Sequence, residues 1–175
     1  AAFLVLESEE VAIKENKQIL AIVSGYGNAN DAFHQTASSP DGAGAFMAMN
    51  KALKMSGLEP NEIDYINVHG TGTENNDLSE GVAIERIFGS HAPPFSSTKG
   101  YTGHTLGAAG AVEAVISVLS INNRVIFANL NFSTPMKELS IQPVKSQISN
   151  ASVRHVLSNS FGFGGNNSAV VLSEY

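Results

Sequence analysis

Two histidines, a lysine and a glutamate are the side chains best suited to chemistry in this sequence. His69 closes an apolar run, "IDYINV", and opens the stretch "HGTGTENND". Small and hydroxyl residues after a buried strand describe a loop at a sheet edge, where ligands of open α/β sheets bind. A histidine there suits a general base, a hydrogen-bond donor or a metal ligand, and equally a ring satisfied by a loop carbonyl. His104 stands in "SSTKGYTGHTLGAAGAVEA", at the predicted start of a helix rich in small residues. A helix N-terminus disfavours imidazolium, so a neutral ring is expected. Such a ring donates a hydrogen bond to a carbonyl or enolate oxygen without acting as an acid. Glu113 lies further along the same helix among apolar residues. A buried carboxylate needs a partner, and Lys99, just ahead of the helix, is the natural one. The pair reads either as part of a site or as an ion pair that ties loop to helix.

A third stretch, "NSFGFGGNN", places Gly162, Gly164 and Gly165 around Phe163. Glycines free the backbone for tight turns with exposed N–H groups, which can form part of an anion or oxyanion hole. A hairpin stapled by Phe161 and Phe163 explains the same residues. The glycine pattern is not a dinucleotide fingerprint, because a strand follows, and no Gly-Lys-Ser/Thr makes it a P-loop. No G-x-S-x-G elbow is present. Neither histidine has a third metal ligand at helical spacing, so no metal site is expected.

These residues need elements to hold them. "AAFLVLE" and "QILAIVSGYG" read as strands paired through a polar turn near Glu15-Asn16. "ANDAFHQTASSPDG" reads as a loop and "AGAFMAMNKALKMSG" as a helix stopped by Gly57. "IDYINV" is a short buried strand, Asp77 to Phe88 a helix stopped by Gly89, and "PPFSSTK" a short strand. "TGHTLGAAGAVEAVISVLSINN" is a helix apolar or small almost all round, expected to be buried on several faces. Gly107 and Gly110 weaken it and suggest close approach of another backbone. "RVIFANL" reads as a strand or strand-like connector, and "VRHVLSNS" and "SAVVLSE" as two strands around the glycine-rich turn. The alternation points to one layered α/β domain over residues 1–175 with a mixed sheet.

The totals narrow the function. The 175 residues are 43% hydrophobic and carry a net charge of −6 with acids and bases scattered. Disorder, a nucleic-acid surface and an anionic-membrane surface are all unexpected on that balance. No apolar run reads as a transmembrane span, and a cytoplasmic location is the expectation. With no cysteine in the chain, disulfides and thiol chemistry within it are excluded. The opening directly on an apolar run suggests a piece of a longer chain.

Together, "VHGTGTENNDLSE", "SSTKGYTGHTLGAAGAVEA" and "SNSFGFGGNNSAVVL" resemble, in order and spacing, the C-terminal half of β-ketoacyl synthases, the condensing enzymes of fatty-acid and polyketide synthesis. The resemblance covers essentially the whole chain. It implies the thiolase fold, two βαβαββ-type halves in a five-layer α-β-α-β-α sandwich, with this chain as the second half. It implies that the first half supplies the cysteine that takes the acyl chain. His69 and His104 match the two family histidines that hold a malonyl thioester and promote its decarboxylation. Lys99 matches the lysine supporting them, and Glu113 the buried glutamate nearby. Phe163, between Gly162 and Gly164, matches the phenylalanine whose N–H contributes to the oxyanion hole. Thr71 and Thr73 match threonines along the pantetheine arm, and Asp77 and Glu80 match acids after the loop. The implied partners are an acyl carrier protein, which brings substrates on phosphopantetheine, the N-terminal half, and a second copy of the parent. No dissociable cofactor is implied. Two loop departures stand out: "ENND" for a commoner Pro/Lys-rich run, and "GGNN" for a commoner "GGTN". Retention of both histidines and the lysine fits the non-catalytic chain-length-factor subunits less naturally, and the alternative to an enzyme half is a non-catalytic ketosynthase-like partner subunit or a stand-alone acyl-carrier-binding module. Two histidines without a cysteine also weigh against a thiolase.

Overall fold

The computed structural model describes residues 1–175. A five-stranded mixed sheet runs in the order β1 (Ile22–Asn30), β7 (Asn166–Ser173), β6 (His155–Gly162), β2 (Tyr65–Asn67), β3 (Phe95–Ser96). The first three are antiparallel neighbours, while β2 runs parallel to both β6 and β3. Helices α2 (Ala43–Ser56) and α3 (Glu74–Phe88) share a core with one face, and α5 (Ala109–Asn123) packs on the other.

The strands sort their side chains by alternation. Ile66, Leu157 and Val171 enter the core under α2 and α3, whereas Tyr65, Val156 and Leu172 enter the core under α5. Helix α2 lies directly on β1. A Cβ at Gly27 would collide with the Ala48 carbonyl oxygen, so the close approach requires glycine there.

Several expectations hold. Helix α2 ends at Gly57, whose φ of 71° gives the left-handed C-terminal cap. The strands β6 and β7 flank the glycine-rich turn as a hairpin from Gly162↔Asn166 onward.

Others are corrected. Residues 1–8 form no strand, and Phe3 and Val5 are each 91% exposed. The expected turn at Glu15-Asn16 is present, but it follows α1 (Glu9–Lys14), which forms because Ser8 caps it, Glu9 and Glu10 occupy its first turn and Lys14 its last. The partner of β1 is therefore β7. Helix α3 begins at Glu74, three residues before the expected Asp77, with Thr73 extended at its N-cap. The "ENND" residues are thus the first turn of a helix and not loop. The "RVIFANL" run yields only β4 (Val125–Ile126), which pairs with β5 (Ile148–Ser149) in a separate ribbon.

Helix α5 starts at Ala109, later than expected, preceded by a 3₁₀ turn at Leu106–Ala108. It buries one face only, and Leu119 on another is 46% exposed. A Cβ at Gly107 would meet nothing, and one at Gly110 would lie 3.3 Å from Ser160 Oγ, so no backbone crowds these positions. Leu106–Asn123 is long and apolar enough by composition to cross a membrane, which corrects the reading of apolar runs. In this fold it packs on the sheet and carries an ion-paired glutamate.

Candidate active site

The end of β2 delivers His69 into the protein and not to solvent: its residue surface is 4% exposed. Two backbone bonds fix its position. The Oε1 of Glu80 on α3 accepts from the His69 N–H at 2.9 Å, and Oε2 accepts from the Gly70 N–H at 2.9 Å. Asn159 on β6 donates to the same Oε1 at 3.0 Å. Burial alone would push the Glu80 carboxyl upward, and these donors with the Lys99 charge oppose it. One carboxylate therefore ties the histidine loop, α3 and β6 together.

Lys99 opens α4 (Lys99–Thr102) and is itself buried. Its Nζ donates to the His69 carbonyl at 2.5 Å, to His69 Nδ1 at 3.3 Å and to Glu113 Oε1. All three donors of the lysine are thus used. Burial pushes the Glu113 carboxyl up to about 7, with the lysine charge pulling the other way.

The hydrogen bonds assign the ring tautomers. Lysine can only donate, so His69 Nδ1 accepts and Nε2 carries the proton. The Leu106 N–H donates to His104 Nδ1 at 3.3 Å, which leaves the His104 proton on Nε2 as well. The two rings meet edge-on, with centroids 5.4 Å apart and an interplanar angle of 82°. Burial, the Lys99 charge and the neighbouring His104 push His69 down to about 3. His104 is also held below the ordinary range, first by burial and then by Lys99. A neutral ring was expected there from a helix N-terminus. That cause is corrected, since His104 sits in an exposed loop ahead of α5 and the lysine is the charge that acts.

Phe161 packs on His69 with centroids 5.6 Å apart. Phe163 is 75% exposed, in a turn where Gly164 and Gly165 have φ of 77° and 74°. A Cβ at Gly165 would collide with Asp31 Oδ1, while Gly162 is in ordinary extended backbone. The Thr71 and Thr73 hydroxyls bond at 3.0 Å, and Asp77 Oδ1 accepts from the Gly72 N–H at 3.2 Å. A cavity of about 530 Å³ opens beside Lys99 and His104, is lined by Thr71 and Asp77, and extends to residues 129–143; Thr73 lies outside it.

His69, His104, Lys99 and Glu113 are thus one cluster, with Glu80 behind it. Sequence reasoning missed Asn159 and Asp31. A polar residue inside "VLSNSF" was the available signal for Asn159. Asp31 carried none beyond its place after a strand.

The chain belongs to the β-ketoacyl synthase family, as its C-terminal domain: the profile "Beta-ketoacyl synthase, C-terminal domain" matches residues 20–133. A 3-oxoacyl-[acyl-carrier-protein] synthase 2 of Rhizobium meliloti is 45% identical over 177 residues, all of this chain and 42% of that protein. A mitochondrial 3-oxoacyl-[acyl-carrier-protein] synthase of Arabidopsis thaliana is 44% identical, over 97% of this chain and 38% of that protein. Among solved structures, the ishigamide ketosynthase/chain length factor matches with a TM-score of 0.91 and 36% identity, over 97% of this chain and 41% of that one. A type II PKS ketosynthase in complex with its acyl-carrier protein also reaches 0.91, at 31% identity, over 97% of this chain and 42% of that one. The chain therefore spans about two fifths of the length of these relatives. One relative is named mitochondrial, so family membership does not fix a compartment.

Proposed function

We propose that residues 1–175 form, as one domain, the C-terminal half of a β-ketoacyl-[acyl carrier protein] synthase that performs decarboxylative Claisen condensation in fatty-acid or polyketide synthesis. The observation that carries this reading is the pair of adjacent neutral histidines, each with Nδ1 occupied and Nε2–H free to donate. Two such donors suit the oxygen of a malonyl thioester. When the bond to the carboxylate breaks, carbon dioxide leaves and its electron pair moves into an enolate whose oxygen the two N–H groups hold. Donors already aimed at developing charge supply the largest electrostatic gain in such steps.

The enolate carbon then attacks the carbonyl of an acyl thioester on a cysteine. This chain has no cysteine, so that group belongs to the N-terminal half of the parent. The Phe163 N–H is the contribution of this half to the second oxyanion, and expulsion of the thiolate completes the condensation. Lys99 and Glu113 hold His69 in its tautomer. Thr71 and Thr73 flank the approach of the phosphopantetheine arm, and Asp77 fixes their loop. The partners are an acyl carrier protein, the N-terminal half and a second copy of the parent. These 175 residues alone are expected to be inactive.

The test is carbon dioxide release from a malonyl thioester by the full-length parent. His69→Ala and His104→Ala should each lower it by about 10²–10³, the loss typical of an oxyanion donor. Release within a few-fold of the unsubstituted parent in both variants would overturn the assignment.

A further inference from the structure

We propose that Asn75 and Asn166 are positioning residues that join the 31–42 loop and the Phe163 turn into one frame beside the histidine pair. The inference rests on the reading of Phe163 as part of the site. Both asparagines lie in the two stretches that depart from the commoner family pattern, "ENND" and "GGNN".

Asn75, in the first turn of α3, grips Ser38 at both of its backbone groups. Its Oδ1 accepts from the Ser38 N–H at 2.9 Å and its Nδ2 donates to the Ser38 carbonyl at 3.2 Å. Neither proline nor lysine can accept that N–H. Ser79, one turn further along α3, donates to the Ser39 carbonyl at 2.7 Å. The far side of the same loop reaches the glycine turn, since the Gln35 carbonyl accepts from the Gly164 N–H at 2.8 Å.

Asn166 closes the turn from the other side. Its Nδ2 donates to the Phe163 carbonyl at 3.0 Å. Asn30 Nδ2 donates to the Gly164 carbonyl at 2.7 Å and lies 3.4 Å from Asn166 Oδ1. The Asp31 N–H donates to the Gly165 carbonyl at 3.1 Å. Neutral hydrogen bonds thus tie α3 to Ser38 and Gln35 to Gly164, and the three-residue backbone step from Ser38 to Gln35 joins them into one path that ends beside Phe163. The turn it ends on has two consecutive glycines at positive φ and an exposed phenylalanine, so its position depends on these bonds.

Amide hydrogen exchange on the full-length parent tests the coupling. Asn75→Leu should speed exchange at 36–39 and also at Gly164, by about tenfold, the size expected for losing two neutral hydrogen bonds. Asn166→Ala should speed exchange at 163–165 and, reciprocally, at 33–39. Asn75→Asp keeps the acceptor for Ser38 and should fall between the unsubstituted protein and Asn75→Leu. Changes confined to the mutated loop in both variants would overturn the proposal.

Kinetics give the second readout. Asn75→Leu should raise the KM for the acyl thioester several-fold while malonyl decarboxylation turnover stays near that of the unsubstituted parent. A fall in decarboxylation with unchanged KM would contradict a positioning role. A parent with no decarboxylation at all would defeat the function proposed above, while the exchange experiment would still decide the coupling.

Discussion

The two sides of the candidate site are held by different physics. On the histidine side, His69, Lys99, Glu80 and Glu113 are buried, and charged groups make most of the bonds that fix them. On the opposite side, Phe163 stands exposed in a glycine turn secured by neutral amide bonds. Buried charges are costly to displace, so the first side is rigid around His69. Exposed neutral bonds are exchanged readily for water, so the second side is the one that can adjust its position.

Substitutions on each side should separate the two. Glu113→Leu leaves the Lys99 charge buried without its counter-charge and should cost about 3–5 kcal/mol in chemical denaturation. Adding Lys99→Met should recover most of that loss, because an apolar replacement of a buried pair is often neutral, yet decarboxylation should stay low. Failure of the double variant to regain stability would mean that the pair is not the source of the rigidity.

Glu80→Gln places an amide donor against buried backbone N–H groups and should cost about 1–3 kcal/mol. On the turn side, Gly165→Ala forces a Cβ against Asp31 in the left-handed region and should cost about 1–2 kcal/mol. Equal stability of Gly165→Ala and the unsubstituted protein would show that the turn relaxes without resistance.

The smallest effect is a pH slope. Burial raises Glu113 from 4.5 to about 7, so the folded state holds more protons there and stability falls as pH rises through that interval. His69 is lowered from 6.5 to about 3, so the folded state holds fewer protons and stability falls as pH drops through that interval. The two slopes oppose each other where the intervals overlap. In Glu113→Gln the Glu113 slope is lost while those of His69 and His104 remain against that of Glu80, so the denaturation midpoint should rise with pH across the overlap more than in the unsubstituted protein. A midpoint that still fails to rise would place the opposing proton elsewhere.

The same contrast explains what the sequence disclosed. Lys99 and Glu113 were legible because a charge inside an apolar helix demands a partner, and the hairpin was legible because two apolar runs flank a cluster of glycines. The helix at Glu9–Lys14 was hidden inside a run whose apolar neighbours suggested strands, although Ser8, the following glutamates and Lys14 carry its cap and dipole signature. The bonds of Asn75 and Asn166 were not legible, because each depends on which loop the fold brings opposite. The start of α5 was misplaced because small residues continue on both sides of the true boundary at Ala109.

The central claim is that His69 and His104 are neutral donors through Nε2. Nitrogen-15 spectra of the ring resonances in the full-length parent test it most directly. Both rings should be protonated at Nε2 only near neutral pH, and His69 should show no titration between about pH 5 and 8, where an ordinary histidine changes charge. An imidazolium at His69 within that range, or a proton on Nδ1 of either ring, would contradict the account.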